Sequence, residues 1–268
     1  MPELPEVETV RQTLKTLVSG KTIVDVHVYW SNCVITKDFE KDILGQTIHD
    51  ILRYGKYLVF VLDHHVLISH LRMEGKYYIH QKRPPSNHEH VVFDLNTNES
   101  LTYHDTRKFG KFELIDKKTY LEVRPLSLLG KEPKDIDPIA LYKRLKQKRI
   151  PIKMALLDQH LIAGLGNIYV DETLFRAGIH PEKKCDRLTK KDVSWIVYHA
   201  IHVLSYATEL GGSTIRTYHA MHGVDGKFQN ELKVHTKKDI PCEVCHTPII
   251  KIKVGGRGTY VCPTCQRK

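Results

Sequence analysis

The sequence predicts an α+β chain with a mostly β amino-terminal half and a helical carboxy-terminal half that ends in a zinc-binding β-ribbon. Three observations carry this prediction. Short strand-like runs, separated by turn formers, recur between residues 24 and 115. Apolar residues then recur at helical spacing between residues 139 and 207, and two cysteine pairs follow. Strands first and helices later are typical of α+β proteins.

The amino-terminal half opens with a helix, because Val7, Val10, Leu14 and Leu17 lie at helical spacing and Gly20 can end the helix. Strands are predicted over 24–30, 57–62, 66–71, 76–80, 90–95, 101–104 and 111–115. Short strands with regular turns favour a sandwich or barrel. Residues 1–130 are therefore assigned to one β domain.

The carboxy-terminal half is helical. Residues 131–138 contain two prolines and lack apolar periodicity, which predicts a linker. Helices are predicted over 139–148, 152–160 and 167–177, and a longer one opens at a Thr189–Asp192 capping box and stops at Gly211 and Gly212. Residues 139–230 are assigned to this helical domain, including a loop from residue 213, and 231–268 to the ribbon.

Charge and composition point to a polyanionic partner. Lys+Arg number 41 against 31 Asp+Glu, a net charge of +10, which favours nucleic acid, although a basic protein without such a partner is the alternative. No apolar run reaches 18 residues, so no membrane span is expected. The acidic start does not match a secretion signal, and a cytoplasmic location is expected.

The cysteines predict one structural Zn²⁺. Two Cys-x2-Cys pairs lie sixteen residues apart, and in the cytoplasm such pairs are more often metal ligands than disulfides. Four thiolates complete a tetrahedron and leave no position for water. The ligands are Cys242, Cys245, Cys262 and Cys265. His246 is surplus, and Cys33 and Cys185 are expected to pack in the core.

Two glycine turns in this half could approach DNA. Between the cysteine pairs, residues 251–260 fit two strands joined by a glycine turn that presents Arg257, a residue suited to phosphate or base contact; a solvated arginine is the alternative. The run Gly164-Leu165-Gly166-Asn167 precedes a helix and could aim N–H groups at a phosphate. Asn167 could add a donor or cap the helix.

The start of the chain carries the strongest chemical suggestion. Removal of Met1 would leave Pro2 with a secondary α-amine, which titrates at about 7.7–8.0 and is nucleophilic near neutral pH. Such an amine forms a cationic iminium with a carbonyl carbon, and Glu3 could move protons beside it. A proline that merely leads into a helix is the alternative.

A third cluster lies in the β domain. Lys56 occurs in Tyr54-Gly55-Lys56-Tyr57, Met73 in Leu71-Arg72-Met73-Glu74-Gly75, and Arg107 with Phe109 in Asp105-Thr106-Arg107-Lys108-Phe109-Gly110. Methionine and phenylalanine act as wedges in proteins that open base steps, and an arginine can bond to an orphaned base. The alternative is that Met73 and Phe109 are core residues.

Together these residues resemble the formamidopyrimidine-DNA glycosylase family, bacterial repair enzymes for oxidised purines. The resemblance covers essentially the whole chain, from Pro2-Glu3-Leu4-Pro5-Glu6-Val7-Glu8-Thr9-Val10 to Cys262-Pro263-x-Cys265-Gln266. It implies a β-sandwich domain, a helical domain with a helix–two-turn–helix, and a zinc ribbon. It also implies a monomer without an organic cofactor that binds double-stranded DNA containing oxidised purines or abasic sites.

The resemblance implies a role for each matching residue. Pro2 attacks the sugar C1′, Glu3 assists opening of the sugar ring, Lys56 is linked with β-elimination and Arg257 with δ-elimination. The residues that fill the vacated stack and contact the orphan cytosine are Met73, Arg107 and Phe109. Further DNA contacts fall to His88, Arg107, Lys148, Lys153 and Asn167. The loop over the flipped base begins with Ser213, Thr214, Ile215, Arg216, Thr217 and Tyr218.

One departure and three alternatives remain. The family usually reads Tyr-Gly-Arg/Lys-x-Gly before the ribbon, where this chain has His235-Thr236-Lys237-Lys238-Asp239, which puts the local backbone geometry in doubt. The sister enzyme for oxidised pyrimidines is the nearest alternative; Leu4 and the Met73 set favour the purine enzyme. A non-catalytic lesion sensor and an amino-terminal-proline tautomerase are alternatives from other classes.

Overall fold

The computed structural model describes residues 1–213 and 226–268, which divide into two compact units. The first contains residues 1–128 together with 211–213 and 226, and the second contains 129–210 and 227–268. The sequence analysis assigns residues 211–213 to the helical domain, whereas here they group with the amino-terminal unit. The reason is a pair of hydrogen bonds from Ser213 to Glu6.

The first unit contains two helices and eight strands among the described residues. They are α1 (Leu4–Val18), β1 (Ile23–Val28), α2 (Phe39–Ile43), β2 (Asp50–Tyr54), β3 (Tyr57–Val61), β4 (His65–His70), β5 (Lys76–Gln81), β6 (Glu89–Leu95), β7 (Glu99–His104) and β8 (Lys111–Asp116). The strands form two four-stranded antiparallel sheets, ordered β1-β6-β7-β5 and β2-β3-β4-β8.

One hydrophobic core joins α1 to both sheets. Val7 and Leu14 of α1 pack into a cluster that also contains residues of every strand layer, among them Phe60, Tyr103 and Phe112. The Tyr103 and Phe112 rings meet edge to face at 4.8 Å, a geometry that aromatic pairs favour. This shared core packs α1 against both sheets.

The second unit contains four helices and a β-ribbon among the described residues. They are α3 (Pro138–Lys146), α4 (Ile152–Leu156), α5 (Asn167–Arg176), α6 (Lys190–Glu209), β9 (Ile250–Val254) and β10 (Arg257–Val261). Asp137 accepts hydrogen bonds from two N–H groups of the first turn of α3, and the Thr189–Asp192 capping box opens α6 as its sequence predicts. Residues 157–166 connect α4 to α5 and contain the two glycines of the predicted phosphate-binding turn.

The ribbon has the shortest possible turn. Val254 pairs with Arg257, so Gly255 and Gly256 alone connect the strands, and their φ angles of 54° and 80° fit a turn that requires positive φ at both positions. A side chain at Gly255 would also collide with Met154, because a Cβ there would lie 1.9 Å from its sulfur. The glycine pair is therefore needed both for the turn and for its packing on α4.

Three elements differ from the sequence-based expectation. The strand β2 and the helix α2 were not predicted, because β2 buries only Ile51 fully and α2 has five residues, so neither shows a period. Helix α4 ends at Leu156, earlier than expected. The side-chain amide of Gln159 closes the following turn by bonding to the carbonyl groups of Leu157 and Leu165. Among residues 1–213 and 226–268, no helix combines the length and apolarity needed to cross a bilayer.

Candidate active site and zinc centre

The start of the chain is held in place by carboxylates. Pro2 is buried and Glu3, only 3% exposed, is the N-cap residue of α1. The Glu3 N–H donates to Glu6 Oε2 at 2.8 Å. The other oxygen of Glu6 accepts from the Ser213 N–H at 2.7 Å and from its hydroxyl at 3.1 Å. Glu6 thus joins the predicted nucleophile and acid/base pair to the first residue of the predicted lesion loop.

Lys56 lies on the tight turn between β2 and β3, and this turn is tied to α1. Its side chain is almost wholly buried, at 5% exposure for the residue. Arg53 donates to the Gly55 carbonyl at 2.9 Å and to Glu8 of α1 at 2.9 Å. Burial acts to raise the pKa of Glu8, but hydrogen bonds from Arg11 and Arg53 outweigh it and hold that pKa below its usual value. The ionised Glu8 therefore connects α1, the helix that follows Pro2, to the turn that carries Lys56.

His70, at the end of β4, is a buried residue that sequence reasoning missed. Its Nδ1 accepts from the Arg72 N–H at 3.0 Å, and its ring meets that of Tyr57 at 4.6 Å. Burial, aided by the positive charges of Arg72 and Lys56, lowers the pKa of His70 to about 3. The imidazole is therefore neutral at physiological pH, and no sequence signal beyond its neighbourhood to Met73 marks it.

The predicted wedge residues are accessible. Phe109 is 49% exposed and Met73 is partly exposed, so the alternative that Phe109 is a core residue is wrong. The exposed Arg107 guanidinium lies 5.0 Å from the centre of the Phe109 ring. His88, also exposed, has a φ of 69° and accepts the Asp105 N–H through its carbonyl.

The four predicted zinc ligands meet at one point of the ribbon. Their Sγ atoms all lie within 4.8 Å of one another, with 3.9 Å between Cys242 and Cys265 and 3.4 Å between Cys245 and Cys262. A tetrahedron of Zn–S bonds of about 2.3 Å requires sulfur separations of about 3.8 Å. Backbone N–H groups of Val244 and Cys265 donate to the sulfurs of Cys242 and Cys262, which fixes the positions of these two sulfurs. The residues present fit one structural Zn²⁺.

The surplus residues behave as the sequence predicts. Cys33 and Cys185 are buried, and burial raises the pKa of each thiol to about 11, which keeps both protonated and unreactive. Within the described residues, His246 is not grouped with the four sulfurs.

A buried carboxylate ties α5 to the ribbon. Asp171 Oδ1 accepts from Lys153 Nζ at 2.7 Å, and its Oδ2 accepts from His235 Nδ1 at 2.8 Å and from the Tyr260 N–H at 3.2 Å. Lys153 and Asp171 are 0% and 1% exposed. Lys153 is thus enclosed in an internal ion pair, and its predicted phosphate contact stays a prediction that would require this pair to open.

The carbonyl of Gly258 anchors the predicted phosphate-binding arginine. It accepts from Lys153 Nζ at 3.3 Å and from Asn167 Nδ2 at 3.0 Å. The residue before it, Arg257, is exposed. The N-cap position of α5 belongs to Gly166, so the alternative that Asn167 caps the helix is wrong. Three predicted residues therefore form one cluster at the base of the ribbon.

The structure shows few contacts for two of the predictions, Lys148 and the lesion loop. Lys148 is partly exposed, and its N–H donates to the Leu145 carbonyl at the end of α3. Ser213 is described above, but residues 214–218 of the predicted lesion loop lie outside the described residues.

Sequence reasoning missed three carboxylates that organise these sites. Glu6 has a local signal, because Glu at the N-cap and Glu three residues later make a capping box. Asp105 precedes a turn, where aspartate commonly accepts from following N–H groups. Asp171 has no local signal, since its partners lie 18 to 89 residues away along the chain.

Comparison with known families covers most of the chain. The family described as Formamidopyrimidine-DNA glycosylase N-terminal domain matches residues 1–112. Formamidopyrimidine-DNA glycosylase H2TH domain matches 129–219, and Zinc finger found in FPG and IleRS matches 239–267.

Relatives match from end to end. The formamidopyrimidine-DNA glycosylase of Oceanobacillus iheyensis is 47% identical over 273 residues, covering 99% of this chain and 98% of the relative. That of Bacillus subtilis is 47% identical over 275 residues, covering 100% of both. A crystal structure of a mutant Lactococcus lactis FPG with Fapy-dG containing DNA has a TM-score of 0.94 at 43% identity, with full coverage of both chains. A MutM structure with carbocyclic 8-oxo-G containing DNA has a TM-score of 0.92 at 41% identity, also with full coverage. The chain belongs to the formamidopyrimidine-DNA glycosylase family.

Proposed function

We propose that this protein excises oxidised purines, such as 8-oxoguanine and formamidopyrimidines, from duplex DNA and then cleaves the strand, with Pro2 as nucleophile. The observation that carries the proposal is the construction around Pro2 and Glu3. Both are buried, and the Glu6 carboxylate holds the Glu3 backbone and Ser213 at once. Relatives whose structures contain Fapy-dG and 8-oxo-G DNA support the same substrate class.

In the first chemical step the Pro2 nitrogen replaces the damaged base at C1′ of the sugar. After removal of Met1, the lone pair of the Pro2 amine forms a bond to C1′, and the C1′–N9 bond breaks with its electrons leaving on the base, which takes up the proton that the Pro2 nitrogen releases. Glu3 gives a proton to the ring oxygen as the C1′–O4′ bond opens, leaving a C1′ iminium.

The iminium then drives strand cleavage. Its positive nitrogen acidifies C2′, and loss of that proton expels the 3′ phosphate in a β-elimination. A second elimination expels the 5′ phosphate and leaves a one-nucleotide gap. We assign Lys56 to the first elimination and Arg257 to the second, while zinc fixes the ribbon and takes no part in bond making.

DNA is proposed to contact His88, Arg107, Lys148 and Asn167, and also Lys153 once its ion pair with Asp171 opens. The net charge of +10 supports binding through phosphates, so affinity should fall steeply with salt. Met73, Arg107 and Phe109 are proposed to fill the space of the extruded base, and the residues from Ser213 to cover it. A cytoplasmic monomer suits this activity.

Borohydride trapping tests the proposal. The protein is incubated with duplexes that contain 8-oxoguanine, thymine glycol or an abasic site, and the reduced covalent complex is measured. Trapping that is faster on 8-oxoguanine than on thymine glycol, with loss in a Pro2→Gly variant, supports the proposal; a primary amine could retain a small part of it. Faster trapping on thymine glycol would favour the pyrimidine-specific sister activity, and binding without trapping would favour a lesion sensor.

A further inference from the structure

The loop that carries Arg107 and Phe109 is organised by one buried carboxylate. Asp105 is 0% exposed, and its Oδ1 accepts from the Arg107 N–H at 3.0 Å. Its Oδ2 accepts from the Phe109 N–H at 2.9 Å and the Gly110 N–H at 2.8 Å. Three N–H groups within five residues thus converge on a single side chain, which fixes the loop backbone while the two functional side chains point outward and stay exposed.

The same centre also fixes the loop that carries Met73. The buried Tyr103 hydroxyl lies so near Gly75 and Gly110 that a Cβ on either would come within 2.2 Å and 1.6 Å of it. Only glycine fits at both positions, so residues 71–75 and 105–110 both close onto one phenol. Burial, and then the nearby Asp105, raises the pKa of Tyr103, which keeps its hydroxyl protonated and able to donate toward the Asp105 carboxylate at 3.4 Å.

A surface contact joins the two loops directly. The Thr106 hydroxyl donates to Glu74, the residue after Met73. The backbone of Asp105 is held as well, because its N–H donates to the His88 carbonyl at 3.0 Å and its carbonyl contacts His90 Nε2 at 2.7 Å. Residues 71–75 and 105–110 are therefore held together by a hydrogen bond at the surface and by their packing on Tyr103 beneath it.

We propose that Asp105 is a positioning residue that presents Met73, Arg107 and Phe109 as one preformed wedge for opening the base stack. The inference rests on the proposed function, in which these three side chains enter DNA. Loops that are ordered before binding lose less conformational entropy when the wedge inserts. Insertion and recognition of the orphan base therefore both have a lower free-energy cost. Asp105 itself touches no reacting atom.

An Asp105→Asn variant separates this role from a general structural one. The amide keeps the shape, but its NH2 group cannot accept, so at least one of the three N–H groups loses its partner. Asp94→Asn is the matched control, because Asp94 lies in the same unit, is 3% exposed and accepts from the Ser100 hydroxyl at 2.7 Å. Thr106→Val cuts the surface link at an exposed position and should fold even where Asp105→Asn does not.

Single-turnover rates are measured on duplexes with 8-oxoguanine opposite cytosine or adenine, and on a preformed abasic site. A 2-aminopurine beside the lesion reports unstacking, and thermal unfolding reports stability. Asp105→Asn should slow excision about tenfold, the effect of one lost charge-assisted hydrogen bond, with a reduced cytosine preference and slower unstacking. Cleavage at the abasic site should change much less, and Thr106→Val should show the same pattern more weakly. Asp94→Asn should change stability without changing the ratio of the two rates.

Equal losses on both substrates, or an unchanged cytosine preference in Asp105→Asn, would overturn the inference. If Asp105→Asn does not fold, Thr106→Val decides: a wild-type rate ratio and wild-type unstacking would then reject the preformed wedge. Absence of excision by the wild type would instead reject the proposed function itself, so the two failures are distinguishable.

Discussion

Breaking the Lys153–Asp171 ion pair should reveal how the ribbon is attached to the helices. The pair is completely buried, and Asp171 also accepts from His235 and from the backbone of Tyr260. In Asp171→Asn the lysine stays buried without the Asp171 countercharge, and the three donors Lys153, His235 and Tyr260 are left with one side-chain oxygen. Removing one partner of a buried pair typically costs about 3–5 kcal/mol.

Replacing the other partner of the pair, Lys153, should lower the free energy of unfolding by less. Lys153→Met keeps a long apolar stem in the same space, and Asp171 retains donors from His235 and Tyr260. The Gly258 carbonyl also retains its bond from Asn167. The free energy of unfolding then falls by about 1–3 kcal/mol, the contribution of one or two hydrogen bonds. The double variant should be no less stable than Asp171→Asn alone, because it no longer buries the lysine charge, so the coupling free energy should reach about 1–3 kcal/mol.

Denaturant unfolding of the four proteins in zinc-containing buffer measures this cycle. Circular dichroism gives the free energy of unfolding, and zinc release measured in parallel shows whether the ribbon leaves first. Strict additivity of the two substitutions, or a cost below about 1 kcal/mol for Asp171→Asn, would contradict the argument, because either result means that the buried charges do not depend on each other.

Three further results are expected. Thr236 has a φ of 66°, so Thr236→Gly should raise the free energy of unfolding by about 0.5–1 kcal/mol in chemical denaturation, whereas Lys237→Gly beside it should lower it. Chelation of zinc should abolish binding to abasic-site DNA in a gel-shift assay while leaving most far-UV circular dichroism; full binding by verified zinc-free protein would contradict this. His70 has a folded pKa of about 3 against 6.5 unfolded, so the unfolded state binds more protons between these values and stability rises with pH there. Denaturation at pH 5 and pH 7.5 should differ by about 2 kcal/mol on account of His70, and less in a His70→Asn variant.

Elements with a clear period could be predicted from the sequence. Helix α1 has apolar residues at helical spacing, seven strands are marked by short apolar or alternating runs between turn formers, and the zinc ribbon has fixed cysteine spacing, so each carries a local signal. The strand β2 could not be found in this way because its burial comes from pairing with β3 rather than from alternation. Helix α4 was predicted too long, since a glutamine side chain, invisible to periodicity, closes the turn after it.

The exposed or reactive residues of the candidate site could be predicted from the sequence. The buried residues that hold them in place could not. Pro2, Arg107 and Phe109 have residue types that suggest chemistry or DNA contact wherever they lie. Glu6 and Asp171 act through partners that are up to 207 and 89 residues away, and no local pattern reports such a distance. Burial also changed one expectation: Lys153 reads as a surface cation in the sequence, but its charge is enclosed by Asp171.

The unusual segment before the ribbon has non-glycine residues in a backbone conformation that favours glycine. Thr236 and Asp239 occupy the two glycine positions of the pattern, and both have a φ of 66°. Each non-glycine residue in this region costs about 1–2 kcal/mol, so the conformation must be imposed from outside. Glu172 supplies that constraint by accepting the N–H groups of Lys233, Val234 and His235. Since the turn is set by its neighbour α5, the departure alters the chemistry at His235, where an imidazole bonded to Asp171 replaces the usual tyrosine.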